Sequence, residues 1–220
     1  GTIGIDASAS ASHLNFNGIT AQTFTPGIII NNYVSNITIN NPAGVTFASA
    51  VQVGSASNNG VLSLLNGPLT IANANPGLTL FGTFNSTLGT LTSQASSGLL
   101  IRGTSGNIGT LNLTNFTQSL AVFDINATGT NPRLTINGNL TISTTMNLTS
   151  GIVNMGNYSV FYNNTNALPF QTAGPLSSYL TFAGPSSGLQ WTTNNVSAGT
   201  YRWPIGIDGV IKGFRPITLQ

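Results

Sequence analysis

The sequence predicts an all-β fold, a parallel β-helix (β-solenoid) with a C-terminal β cap and little or no helix, from three observations. Short pieces alternating apolar and polar residues recur along the first three quarters of the 220 residues, and a period of two marks half-buried strands. The series Gly44, Gly60, Gly77 and Gly98 is spaced 16, 17 and 21 residues apart, about the size of one solenoid coil. An LT-[IL] unit returns at 69–71, 78–80, 134–136 and 140–142, between Asn-rich turns. A sandwich or barrel also uses short strands. Like residues recurring at like positions, and Asn side chains that can pair amide to amide along an axis, favour the solenoid.

In chain order, the alternating pieces occupy 36–40, 44–47, 50–54, 60–65, 68–72, 77–81, 98–103, 109–114, 121–126, 133–137, 139–143, 146–155 and 158–162. Asn-Gly pairs at Asn17, Asn59, Asn66 and Asn137 predict tight turns with positive φ. Coils of roughly 17–22 residues over about 150 residues give seven to nine rungs at about 4.8 Å each, a rod of about 35–45 Å. No stretch sustains a 3.6-residue apolar period. Composition shifts near residue 165: ten of the 18 aromatics lie in 158–220, and five of the ten prolines follow residue 166. The expected division is a solenoid over 1–165, with 1–33 as an N-terminal cap or donor segment, and an aromatic, Pro-rich β segment over 166–220.

Charge is nearly absent. Asp6, Asp124, Asp208, Arg102, Arg133, Arg202, Arg215 and Lys212 are the whole set, with no Glu, where an average domain of this length has roughly 55 charged residues. In their place stand 28 Asn, 30 Thr, 22 Ser and 26 Gly. Forty per cent apolar residues suffice for a core, so the chain departs from the disordered class of low hydrophobicity and high net charge. Five scattered basic residues make no stripe for phosphate, so nucleic acid is not an expected partner. No Cys is present, which excludes disulfides and thiolate sites, and no apolar run reaches membrane-spanning length. A start at Gly1 without a signal-like segment reads as a processed chain or an excised piece.

The stretch AQTFTPGIIINNYVSNITINNPAGVTFASAVQVG (21–54), the repeated PLTI, GLTL and NLTIS units, and MNLTSGIVNMGNYSVFY (146–162) resemble low-charge β-solenoid surface proteins, adhesin-like cargo of the type IX secretion system. The ending GTYRWPIGIDGVIKGFRPITL (199–219) is similar to a segment that follows the solenoid in those proteins. The resemblance implies a parallel β-helix displayed outside the cell, for adhesion or as an extracellular fibre. Such proteins are often very long and end in a sorting domain that this sequence does not show, so the chain reads as a piece of a longer protein or as a small subunit that assembles.

Candidate sites are few. Glycoside hydrolysis requires two carboxyl groups about 5–9.5 Å apart, and the three aspartates are far apart in sequence and fit turn, outward and near-terminal positions. No catalytic residue, cofactor or metal is expected. His13, the single histidine, lacks the partners of a metal site. Ten N-x-[ST] sequons, Asn36, Asn85, Asn112, Asn115, Asn126, Asn139, Asn147, Asn157, Asn163 and Asn195, exceed only slightly the six or seven that this composition gives by chance. Drifting coil length argues against a regular outward Thr array of the ice-binding kind. Tyr179, Trp191, Tyr201 and Trp203 read as a core for the C-terminal segment; the two tryptophans are the residues to mutate for a glycan-stacking role.

A neutral rod with unguarded end strands is suited to association, because edges are ordinarily protected by charge, Pro or a cap, and repeated head-to-tail contact gives a fibre. The expected function is a secreted structural subunit of an extracellular filament or surface layer, with copies of itself as partners. Gly1–Ala11 and Phe214–Gln220 are the strand donors, and Arg202, Asp208, Lys212, Phe214 and Arg215 the expected subunit contacts. The alternative is an adhesin or glycan-binding module of a larger surface protein.

Overall fold

The structure, a computed structural model, describes residues 5–6, 12–30, 33–164, 178–192, 201–207, 213–214 and 218–219. Parallel strands wind into a β-solenoid of about seven turns. Each coil lays down three ladders. The first face carries His13–Phe16, Asn36–Asn40, Gly60–Asn66 and then 82–86, 109–112 and 133–137, each strand in register with the next. The second face carries Gln22–Phe24, Val45–Phe47, Pro68–Thr70 and Thr90–Thr92, and its ladder continues at Leu113. The third carries Val51–Val53, 78–81, Gly98–Arg102, 122–125 and 145–148. The one helical piece among the described residues is the 3-10 turn Pro26–Ile28.

The core is built from columns that run along the axis. On the third face Val51, Leu78, Leu99, Phe123 and Met146 stack in register, and beside them Val53, Leu80, Ile101, Ile125 and Leu148. On the first face Leu14, Ile37, Leu62 and Phe84 do the same. Each such side chain is almost wholly buried apart from Leu14 and Leu148, and burying one contributes about 1.5–3 kcal/mol. Near the N-terminal end Phe16, Phe24 and Phe47 meet edge to face, with centroids 5.5 and 5.7 Å apart.

Two expectations about the repeat are corrected. Successive third-face residues are 27, 21, 24 and 23 positions apart in the Val51 column, so most coils are longer than 17–22. The glycine series misled because it mixed ladders: Gly44 precedes a second-face strand and Gly60 opens a first-face one, while Gly77 and Gly98 are true equivalents on the third. The LT-[IL] units likewise fall on different ladders or distant rungs and do not stack on one another. What stacks is any aliphatic side chain at an inward register position.

Corners explain the glycines. Gly60 and Gly82 lie in register where the chain turns onto the first face. A Cβ on Gly82, which has φ of 142°, would overlap the Gly60 carbonyl oxygen. Gly67 and Gly138 adopt the positive φ expected of their Asn-Gly pairs; Gly18 and Gly60 do not, and Gly60 is required by close approach to Ser35.

The parallel ladder continues past residue 165. Ser178–Thr181 pairs with 151–154, and Leu189–Trp191 pairs with Val160–Tyr162. Antiparallel strand pairs among the described residues lie farther on, between Tyr201–Arg202 and Thr218–Leu219 and between Gly206–Ile207 and Gly213–Phe214. A parallel bridge from Leu180 to Ile205 ties this region to the last coil.

Candidate functional site: an aromatic groove at a bulged corner

Where the first face passes to the second, the corners differ in construction. In one, Asn41 is fully buried; its amide donates to the Thr20 carbonyl at 2.7 Å and to Gln22 Oε1 at 2.9 Å, and its oxygen accepts the Ala43 N–H at 3.0 Å. Three coils on, this passage is built differently, with an insertion just past the second-face residues Leu113 and Thr114. Asn112 pairs with Asn137, but the next pair is Thr117 with Asn139, so five steps of chain oppose two and three extra residues bulge outward. Asn115 and Phe116 absorb the bulge, both with φ of 53°, a region in which a bulky non-glycine residue is a genuine outlier. Gly138 makes room: a Cβ there would come within 2.8 Å of Leu113 Cβ.

The bulge throws Phe116 into solvent at 61% exposure, its ring stacked on Tyr158 at 6.1 Å and 6°. One rung back stands Leu88, 75% exposed. Between them runs an open groove of about 520 Å³, inside the range of small-ligand sites. Its remaining wall is Leu113 together with the amides and hydroxyls of Asn112, Asn115, Asn137, Thr87 and Thr90. Asn137 donates to Asn112 Oδ1 at 2.9 Å, and Asn112 donates to the Thr87 carbonyl at 3.2 Å, which is the axial amide pairing expected of the Asn-rich turns. No charged side chain lines it.

The single histidine, His13, lies exposed with Nε2 2.6 Å from Thr38 Oγ1, and no cluster of metal-ligating residues occurs among the described residues. Asp124 points outward as expected, but one coil away Arg102 reaches it, Nη1 to Oδ1 2.8 Å, with side chains 23% and 17% exposed. Sequence reading treated these residues separately; their separation of 22 positions, one coil, was the available signal. Trp191 and Trp203 pack half-buried against the core, and Trp191 Nε1 donates to the Asn164 carbonyl at 3.3 Å. Phe214 and Arg202 are placed by backbone pairing alone. Asp208, Lys212 and Arg215, like Asp6's side chain, lie outside the described residues.

The drift argument against an outward Thr array does not hold on the second face. Thr23, Thr46, Thr70 and Thr92 stand in register, and Thr114 continues them, its Oγ1 2.7 Å from both Thr90 and Thr92. Corner loops absorb the variation in coil length while ladder hydrogen bonds hold register. The column is one residue wide because most of these strands have only three residues.

Phe116, Leu88 and Tyr158 were missed from sequence. The signal was there in LNLTNFTQ (111–118), where Leu111 and Leu113 alternate and Phe116 falls out of phase. Comparison with known proteins adds no kinship: no family model matches the chain, and neither a curated protein nor a solved structure matches it.

Proposed function

We propose that the chain is a structural module of an extracellular filament or surface layer, a rod that associates end to end with copies of itself. The observation that supports this is axial continuity: the first-face ladder runs through six strands from His13–Phe16 to 133–137, so its hydrogen bonds point along the rod toward either end. The nominated donors already use one edge within the chain, Ile5–Asp6 against Ile29–Ile30 and Thr218–Leu219 against Tyr201–Arg202. Strand addition would employ the opposite edge. Secretion by the type IX route belongs to the same proposal and rests on the sequence resemblance. Negative-stain microscopy of the concentrated protein tests it: end-joined fibres or sheets are expected, and discrete short rods at every concentration overturn it.

A second reading, a glycan-binding module of a larger surface protein, is favoured by one observation, the exposed Phe116 in a groove that mixes Leu88, Leu113 and Tyr158 with amides and hydroxyls. Both readings hold if a fibre displays such grooves along its side.

A further inference from the structure

The geometry points to the Phe116 groove as the binding site for a neutral, hydroxyl-rich pyranose chain, with the sugar's apolar face on the aromatic ring and its hydroxyls on the corner amides. This rests on the glycan-binding reading and assigns its site and ligand class. The argument starts from strain. A bulky side chain in the left-handed region costs of order 1–2 kcal/mol, and Phe116 adopts it with its ring largely exposed, where most aromatics would be buried. Such outliers persist where the surrounding structure imposes them and cluster at ligand sites. Here the imposing elements are the three-residue insertion and Gly138.

The lining selects among ligands. A lipid or an apolar helix needs a continuous apolar wall, whereas here Leu88, Leu113, Phe116 and Tyr158 are interspersed with five amide and hydroxyl residues, Thr87, Thr90, Asn112, Asn115 and Asn137. An anionic chain needs cations, and the groove has none. A pyranose presents a C–H face and a rim of hydroxyls, matching a ring beside groups that both donate and accept. The Asn115 amide and the Thr87 hydroxyl make no hydrogen bond within the described residues, so both are available to a ligand.

The test uses the whole chain in affinity electrophoresis against soluble xyloglucan, mixed-linkage β-glucan and galactomannan, with polygalacturonate as the anionic arm. Retardation by at least one neutral polymer is expected. Phe116→Ala should weaken it by about five-fold or more, the scale of one lost stacking contact, and Leu88→Asn by less. Ile19→Ala, which removes a side chain 86% exposed elsewhere, should leave it unchanged, and circular dichroism of each variant should match the parent. Retardation that survives both Phe116→Ala and Leu88→Asn overturns the site while leaving the glycan reading in place. Binding to polygalacturonate alone overturns the ligand class. No binding to any polymer removes the site and the reading together.

Discussion

The Asn41 corner and the Phe116 corner belong to the same passage from first face to second, yet one is sealed and the other open. At the first, a single buried amide answers two acceptors and one donor and the chain turns without slack. At the second, three inserted residues remove that option, and the corner exposes two residues at positive φ. The core columns to either side are the same kind of aliphatic stack. Ladder register therefore tolerates insertions at a corner, and a corner is where a solenoid can acquire a site without disturbing its core.

The largest expected effect tests the sealed corner. Gly67 has φ of 78°, and a Cβ there would overlap the Asn41 carbonyl oxygen; Gly67→Ala should cost about 3 kcal/mol or more in urea unfolding, from backbone strain plus a clash with rigid main chain. Asn41→Ala strands buried polar groups and should cost about 2 kcal/mol. Similar losses from Asn115→Ala at the open corner would erase the distinction, since that exposed amide holds nothing in place.

Two substitutions near the open corner should stabilise. Ser86 faces the core in register with Leu64, its hydroxyl buried without a partner; Ser86→Ala should gain about 1 kcal/mol by removing that group. Phe116→Gly relieves strain of about 1–2 kcal/mol against a lost ring stack of about 0.5–1.5 kcal/mol. The net gain should be under about 1 kcal/mol, read as a small rise in the urea midpoint. A clear loss would mean that Phe116 is held for stability and would weaken the case for a site.

The smallest effect is a pH dependence. Burial raises the Tyr162 phenol above its ordinary value of 10.0, and bonds to the Asn164 side chain and the Met146 backbone pull the other way. The folded state thus holds this proton more tightly than the unfolded chain, so the contribution is full below pH 10 and is lost as pH rises through the folded value. Tyr162→Phe should flatten that part of the stability profile, measured by urea midpoints between pH 8 and 11.

Much of the fold was legible because its signals are local. Val51, Val53, Leu78 and Leu80 announce inward positions by alternation alone, and all thirteen alternating stretches overlap strands. Segments such as Gln22–Phe24 and Thr90–Thr92 were passed over because each holds a single apolar residue, too few to show a period. The groove was illegible for a different reason: Leu88, Phe116 and Tyr158 lie on separate rungs, and their meeting depends on register across coils of unequal length.

By itself the sequence determined strand character, inward faces, a neutral amide-covered surface and the lack of paired carboxylates, since each follows from residue type or period-two spacing. Tertiary structure alone decided which strands share a ladder, that Arg102 meets Asp124, that five threonines align, and that Phe116 stands out beside Tyr158. The physical reason is that ladder hydrogen bonds fix register within each face, while corner loops take up any number of residues that closes the turn. Linear spacing therefore does not reveal which residues become neighbours along the axis.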